Sequence, residues 1–356
     1  MREGEEMSDG IAKTRIAVAS ALCAAVMAYA SGGFLADKTS AQSYTLPASH
    51  ISCVTEIVNE GGEKEIIWEK AEEKAETNDS NLQSEAISAS ASGAVLGKIN
   101  EKFISPYTAN TSYKNIYLKN STDLKIDIKS LVNEPLKYKV EKGSSPSVLI
   151  IHTHATESFL NESRDYYTDS DLSRTTDKNM NVTALGRIVA DKLKNAGYGV
   201  IHDETLHDYP SYSESYSRAA KTINGYIKKY PGIKIVIDIH RDSISAGNAD
   251  KVKVTSKING KKAAQIMIVM GSQSGSVKNF PNWKENLKLA LRLQQKTESM
   301  YPSLARSISL MPRNYNESLT TGSMLIEMGT EANSIEEVKY SAELLGSSLC
   351  ALLDEI

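Results

Sequence analysis

The sequence predicts a three-layer α/β sandwich, a mostly parallel central sheet flanked by helices. Two observations predict it. From residue 147 onward, short continuous apolar runs alternate with amphipathic segments of helical length. Those runs are apolar throughout rather than on alternate residues, as strands buried on both faces are.

In chain order, the run SVLII, residues 147–151, reads as a buried strand. NVTALGRIVADKLKNAG follows with Val182, Leu185, Ile188, Val189 and Leu193 on one helical face, and Gly197 stands where a helix would end. YGVIH is a short strand. Residues 212–230 carry a second helical face through Tyr216, Ala219, Ala220, Ile223 and Ile227, and Pro231-Gly232 breaks it. IKIVIDIH and AQIMIVMG are strands, Trp283 to about Met300 a long helix, and SMLIEMG another strand. The last helix starts at Ser334, with Glu337 three residues on completing a capping box.

The region before residue 147 is different. Residues 16–36 carry no charge, and Lys13 and Arg15 precede them. About 20 apolar residues span a bilayer, and basic residues stay on the cytoplasmic side. The expectation is a cytoplasmic tail over 1–15, a single-pass transmembrane anchor over 16–36, and the rest outside the cytoplasm. A cleaved signal peptide ending near Ala28-Tyr29-Ala30 gives the same sidedness. Residues 37–100 are Glu/Lys-rich and then Ser/Ala-rich, the composition of a flexible linker. Residues 101–146 form an uncertain preamble with room for a strand pair, and 147–356 form the catalytic domain.

Composition excludes several classes. The 356 residues carry a net charge of −3, so nucleic acid is not an expected partner. Three widely spaced cysteines make neither a disulfide framework nor a cysteine zinc site. There is no glycine-rich phosphate loop, no G-x-S-x-G elbow and no HExxH.

Ligands of α/β sheets bind beyond the carboxyl ends of the strands. One strand ends in His152-Thr153-His154, another in His240-Arg241-Asp242, and a third in Glu327. Two imidazoles and a carboxylate form a common catalytic zinc set, which leaves a position open for water. Residues two apart on a strand face the same side, so His152 and His154 could both face the site, or one could support from behind. The expected metal set is His152, Glu157 and His240, with His154 and Asp177 as alternatives. A carboxylate can act as general base toward a metal-bound water, and Glu327, costly to bury unpaired inside an apolar strand, either serves so or pairs with Arg241 or another cation. Arg241 offers a guanidinium fork for an oxyanion or a peptide carboxylate, or else a structural pair to Asp242 or Glu157. His50, His202 and His207 have weaker contexts and are read as non-ligands.

Taken together, VLIIHTHATESF, DKNMNVTALGRIVADKLKNAG, VIDIHRDSI, NWKENLKLA and NYNESLTTGSMLIEMGTEANSIEEV resemble the stage II sporulation protein P family over about residues 147–355. That resemblance implies a membrane-anchored, exported peptidoglycan hydrolase at the sporulation septum, similar to zinc-dependent N-acetylmuramoyl-L-alanine amidases in fold and in its use of Zn2+. It implies amidase cleavage with endopeptidase cleavage beside it, and stage II sporulation proteins D and M as partners in engulfment. It matches His240 to the late zinc histidine, Glu327 to the catalytic glutamate with Gly329 and Asn333 beside it, and His152 or His154 to the early one. The amidases have Pro-Gly-His-Gly-Gly there, and this chain does not. Their glutamate ligand opens a helix much as Asp177 does, which leaves Asp177 and Glu157 as rivals. A zinc peptidase of carboxypeptidase type and a non-catalytic wall-binding scaffold are the alternatives.

Overall fold

A computed structural model of the protein describes residues 93–356 apart from 248, together with a two-stranded pair, β1 (Glu56–Val58) and β2 (Lys64–Ile66). The expected tail and anchor lie outside the described residues. Among the described residues, no helix is long and apolar enough to cross a membrane.

The other strands are β3 (Val95–Lys102), β4 (Thr111–Tyr113), β5 (Ile116–Asn120), β6 (Pro146–Ile151), β7 (Tyr166–Thr168), β8 (Gly199–His202), β9 (Ile235–Asp242), β10 (Ser245–Gly247), β11 (Asp250–Ile258), β12 (Lys261–Ala264), β13 (Ile266–Gly271), β14 (Ile308–Met311) and β15 (Ser323–Thr330). The helices are α1 (Ile128–Asn133), α2 (Val182–Asn195), α3 (Ser215–Lys229), α4 (Trp283–Met300) and α5 (Ile335–Leu353).

Eight strands form the central sheet in the order β4-β5-β14-β13-β15-β9-β6-β8. The block β15, β9, β6 and β8 is parallel, and so is the block β5, β14 and β13. The two blocks run antiparallel to each other where β13 meets β15. The sheet is therefore mostly parallel, with β4 antiparallel to β5 at its edge and an internal reversal that periodicity cannot reveal, because both blocks are buried and equally apolar.

Alternation along β6 and β9 sorts the core into two layers. Val148, Ile150, Ile235, Ile237 and Ile239 join the large cluster that holds the buried faces of α2, α4 and α5. Leu149, Ile151 and Val236 point the other way, onto Ala219 and Ile223 of α3. Helices thus cover both faces. α2 is capped by Asn181, whose side chain accepts from the Thr183 backbone, and α5 by the predicted Ser334–Glu337 capping box.

Described segments upstream of residue 147 supply strands to both sheets. Val95–Asn100, placed at the end of the linker by composition, are strand in β3. The preamble supplies the hairpin β4–β5 at the edge of the central sheet. A second sheet, β10-β11-β3-β7 with β12 on β11, joins residues far apart in sequence. It is tied to the end of β15: Thr330 Oγ1 donates to the Val252 carbonyl, and Asn333 exchanges bonds with the Val254 backbone. Gly329 has φ +66°, and a Cβ there would stand 2.8 Å from Asn333 Oδ1. Gly329 and Asn333 therefore shape the exit of β15.

Candidate functional site

β9 carries His240 on the face opposite Ile239, the same face as Asp238 and Val236. In β15, Glu327 is the register partner of His240, so the two side chains stand side by side on the α3 side of the sheet. Beyond β6 the chain turns. His154 sits in that turn, its ring 5.2 Å from the His240 ring and nearly perpendicular to it. Glu157 N–H donates to the His154 carbonyl, which carries the Glu157 side chain to 3.5 Å from His240 Nδ1. His154, Glu157 and His240 are buried together, and the half-buried Glu327 joins them through its register pairing with His240.

His152 is placed elsewhere, which corrects the expected metal set. It follows Ile151 by one residue, so strand alternation turns it to the α2 side, away from His240. Its Nδ1–H donates to the Ile239 carbonyl (3.0 Å), and its Nε2 meets His202 Nε2 at 2.9 Å. Both ring nitrogens are engaged. β6 ends at Ile151 and the turn re-aims the chain, so the two histidines do not share a side as an extended strand would require.

Arg241 is also corrected. It alternates to the side opposite His240, and its guanidinium donates to the Ser158, Ser173 and Asp242 carbonyls and lies 3.6 Å from Glu331. Those contacts leave it a scaffold role in place of the expected oxyanion contact. Its backbone N–H does reach the site, donating to Glu157 Oε2 at 3.1 Å. Asp177 is exposed and closes an Asx turn by accepting from the Asn179 N–H. Glu157, not Asp177, is the carboxylate beside His240.

Three groups at the site escaped the sequence reading. Asp238 is buried under His240, and its Oδ1 lies 2.9 Å from His240 Nε2. That approach falls outside hydrogen-bond alignment, so the contact is electrostatic as it stands. Asp208 receives the Thr156 N–H and hydroxyl and pairs with Arg174 at 2.6 Å, clamping the turn that carries Glu157. Tyr212 stacks on His154 with its hydroxyl 3.1 Å from Nε2, and Tyr216 meets the same ring edge-on. Tyr315 neighbours Tyr216. Tyr166 and Tyr167 belong to β7 of the second sheet. The carboxylate of VIDIHRD was a legible signal, since a charge inside a buried strand requires partners.

The electrostatics are strongly coupled. Burial disfavours charge on Glu157, but the His240 ring and Arg241 outweigh it and hold the carboxyl well below the usual range. Burial likewise opposes charge on His240, and Asp238 and Glu157 overcome it, raising the imidazole well above its ordinary value. Glu327 goes the other way. Burial first, then the Asp242 charge, push it up to about 8, against the opposing pull of His240 and of Arg306. One site therefore holds an ionised carboxylate and a carboxyl poised near neutrality.

Among the described residues, no three His, Cys, Asp or Glu side chains already converge as a finished metal cage. The donors nevertheless fit zinc chemically. His154 Nδ1 and Glu327 Oε2 are buried and have no hydrogen-bond partner among the described residues, and His240 turns Nδ1 toward Glu157. His240 also lies between two carboxylates, Glu157 and Asp238, whose negative charge a bound cation would balance.

A sequence model described as Stage II sporulation protein P (SpoIIP) matches residues 37–349. The stage II sporulation protein P of Bacillus subtilis (strain 168) is 31% identical over 217 residues, covering 57% of this chain and 50% of that one. The match thus spans half the length of that relative. Among solved structures, the N-acetylmuramoyl-L-alanine amidase AmiC2 of Nostoc punctiforme aligns over 60% of this chain and 98% of its own, at 10% identity and TM-score 0.36. The CwlD amidase of Clostridioides difficile, solved with the GerS lipoprotein, aligns over 59% and 100%, at 13% identity and TM-score 0.37. The matched span of 37–349 covers most of the sequence, and the chain belongs to the stage II sporulation protein P family.

Proposed function

We propose that this chain is a zinc-dependent peptidoglycan hydrolase of sporulation, an N-acetylmuramoyl-L-alanine amidase that also cleaves peptide cross-links. The observation that carries the reading is the juxtaposition of His154, Glu157 and His240 with Glu327 in register beside His240. Family membership supports the setting, and the relative's name places sporulation beside it.

His154, Glu157 and His240 would hold the zinc, and Zn2+ supplies Lewis acidity toward the scissile carbonyl when bound. Glu327 handles the proton. A carboxyl near pH 8 is both an acceptor from attacking water and a donor to the leaving amine close to neutrality. Its neighbour His240 orients the carboxylate by lying alongside it in register. Tyr212 and Tyr216 wall the His154 ring and exclude water from it. Asp208 and Arg174 keep the Glu157 turn in place. The proposal includes a membrane anchor over 16–36, the catalytic domain on the far side of the cell membrane at the septum, and stage II sporulation proteins D and M as partners.

The test is to incubate the full chain, in mild detergent, with purified peptidoglycan, with and without chelator, and identify new ends. New L-Ala amino termini that vanish with chelator support the amidase. Peptide-bond ends alone favour a zinc peptidase. No product from folded, zinc-supplied protein leaves a wall-binding scaffold and overturns the enzyme.

A further inference from the structure

Asp238 is a carboxylate within an apolar strand, two residues before His240 and on the same face. Burying that charge is costly unless each oxygen is used. Oδ1 accepts the Thr153 N–H at 2.8 Å and stands 2.9 Å from His240 Nε2, and Oδ2 accepts the Thr153 hydroxyl at 2.5 Å. Thr153 is the residue between the two histidines of the turn. A single side chain therefore grips the early arm of the site through Thr153 and the late arm through His240.

The free nitrogens complete the argument. His240 has Asp238 on its Nε2 side, and its Nδ1 faces Glu157. His154 has Tyr212 at Nε2, and its Nδ1 is buried without a hydrogen-bond partner among the described residues. In both rings the Nε2 side faces a protein group, Tyr212 for His154 and Asp238 for His240, and the Nδ1 side is turned to the cluster. Zinc-ligating histidines commonly give their second ring N–H to a carboxylate, carbonyl or hydroxyl, which fixes the tautomer and the ring's aim. A slight rotation of the His240 ring would align its Nε2–H with Asp238 Oδ1.

We propose that Asp238 is the positioning residue that couples the two histidine arms, so that His154 and His240 both offer Nδ1 to the metal. This rests on the zinc reading of the site. Asp238→Asn keeps the shape and can keep both Thr153 bonds while removing the charge beside His240.

The experiment uses the full chain. Zinc affinity is measured by competition with a chromophoric chelator for wild type and Asp238→Asn, and metal-free unfolding by urea is followed in parallel. The expected result is zinc affinity weakened by about 10–100-fold with cooperative metal-free unfolding retained. Affinity within about twofold of wild type overturns the coupling role and leaves the zinc reading standing. A wild type that binds no zinc overturns both. Nitrogen-15 histidine spectra of the zinc-loaded wild type give a second readout that needs no variant. Two Nδ1-coordinated, Nε2-protonated imidazoles are expected, and coordination through Nε2 of either ring overturns the assignment.

Discussion

His152 and His154 are two residues apart in one turn and do opposite work. On the α3 side, His154 and His240 stand beside Glu157 and Glu327, with His154 Nδ1 left without a hydrogen-bond partner among the described residues. On the α2 side, His152 is saturated: it donates to the Ile239 carbonyl, meets His202, and has its own carbonyl bonded by His207 Nδ1. His207 spends its other nitrogen on Thr222. The residue type is the same in both groups. What separates a candidate ligand from a brace is which nitrogens the fold leaves open, and the brace histidines hold the backbone from which the open ones project.

The largest effect that would break this division is at Glu327. Glu327→Gln removes the proton carrier and leaves the imidazoles in place. Hydrolysis of purified peptidoglycan should fall by about 10²–10⁴-fold with zinc content unchanged, since general acid–base catalysis contributes on that scale. Full activity in the variant would remove Glu327 from the chemistry.

Next in size is a matched pair. His154→Ala should weaken zinc binding by more than about 100-fold, beyond what loss of a supporting contact gives. His152→Ala should instead cost about 1–3 kcal/mol of metal-free stability, from the Ile239 carbonyl and His202 nitrogen left buried without partners. Chelator competition and urea unfolding on both variants decide it. The reverse outcome, with His152→Ala losing zinc, would exchange the two roles.

How much of this was legible beforehand follows from the physics of each signal. The four long helices and the strands β6, β8, β9, β13 and β15 were readable because periodicity and caps are local. His240 and Glu327 were readable as strand-end polar residues after apolar runs. The choice between His152 and His154 was not, because it depends on where β6 stops, and one residue of extension reverses a side chain's face. The role of Arg241 failed for the same reason: alternation sends it behind the strand. The second sheet was invisible because β3 and β11 pair across some 150 residues and β3 lies in a polar segment. Asp177 matched a motif by sequence, yet Glu157 is the carboxylate that the turn delivers to His240.

The brace side also makes a pH prediction. Burial lowers His202 to about 4, opposed by Glu204 and Asp203 and reinforced by Arg187 and Lys194. The unfolded chain takes up the His202 proton near pH 6.5 and the folded chain only near 4. The stability tied to neutral His202 is therefore complete above pH 6.5 and is lost as pH falls toward 4. The slope from this group is at most about 1.4 kcal/mol per pH unit. Urea midpoints of metal-free wild type and His202→Ala between pH 7 and 4 should show the shallower curve in the variant. Parallel curves would mean that His202 is protonated in the folded chain.

The smallest effect comes from the helix facing this pair. Gly186 lies in the middle of α2, where glycine costs helix stability relative to alanine by about 1 kcal/mol. A Cβ at that position would stand 2.5 Å from both His152 Nε2 and His202 Nε2, closer than atoms tolerate. Gly186→Ala should therefore destabilise the protein by about 1–2 kcal/mol, the overpacking cost exceeding the helical gain. In a His202→Ala background one of the two ring contacts is gone while the His152 ring still stands 2.5 Å away, and the same substitution should cost less than in wild type. That difference is a coupling between contacting residues that additive effects cannot produce. Zinc affinity should stay level through the cycle, because the pair lies on the side of the sheet away from His240. A Gly186→Ala protein more stable than wild type would show that the two imidazoles are not packed against α2. Its His202 background would then lose its reason to differ, and the brace role of His152 would rest on the Ile239 carbonyl alone.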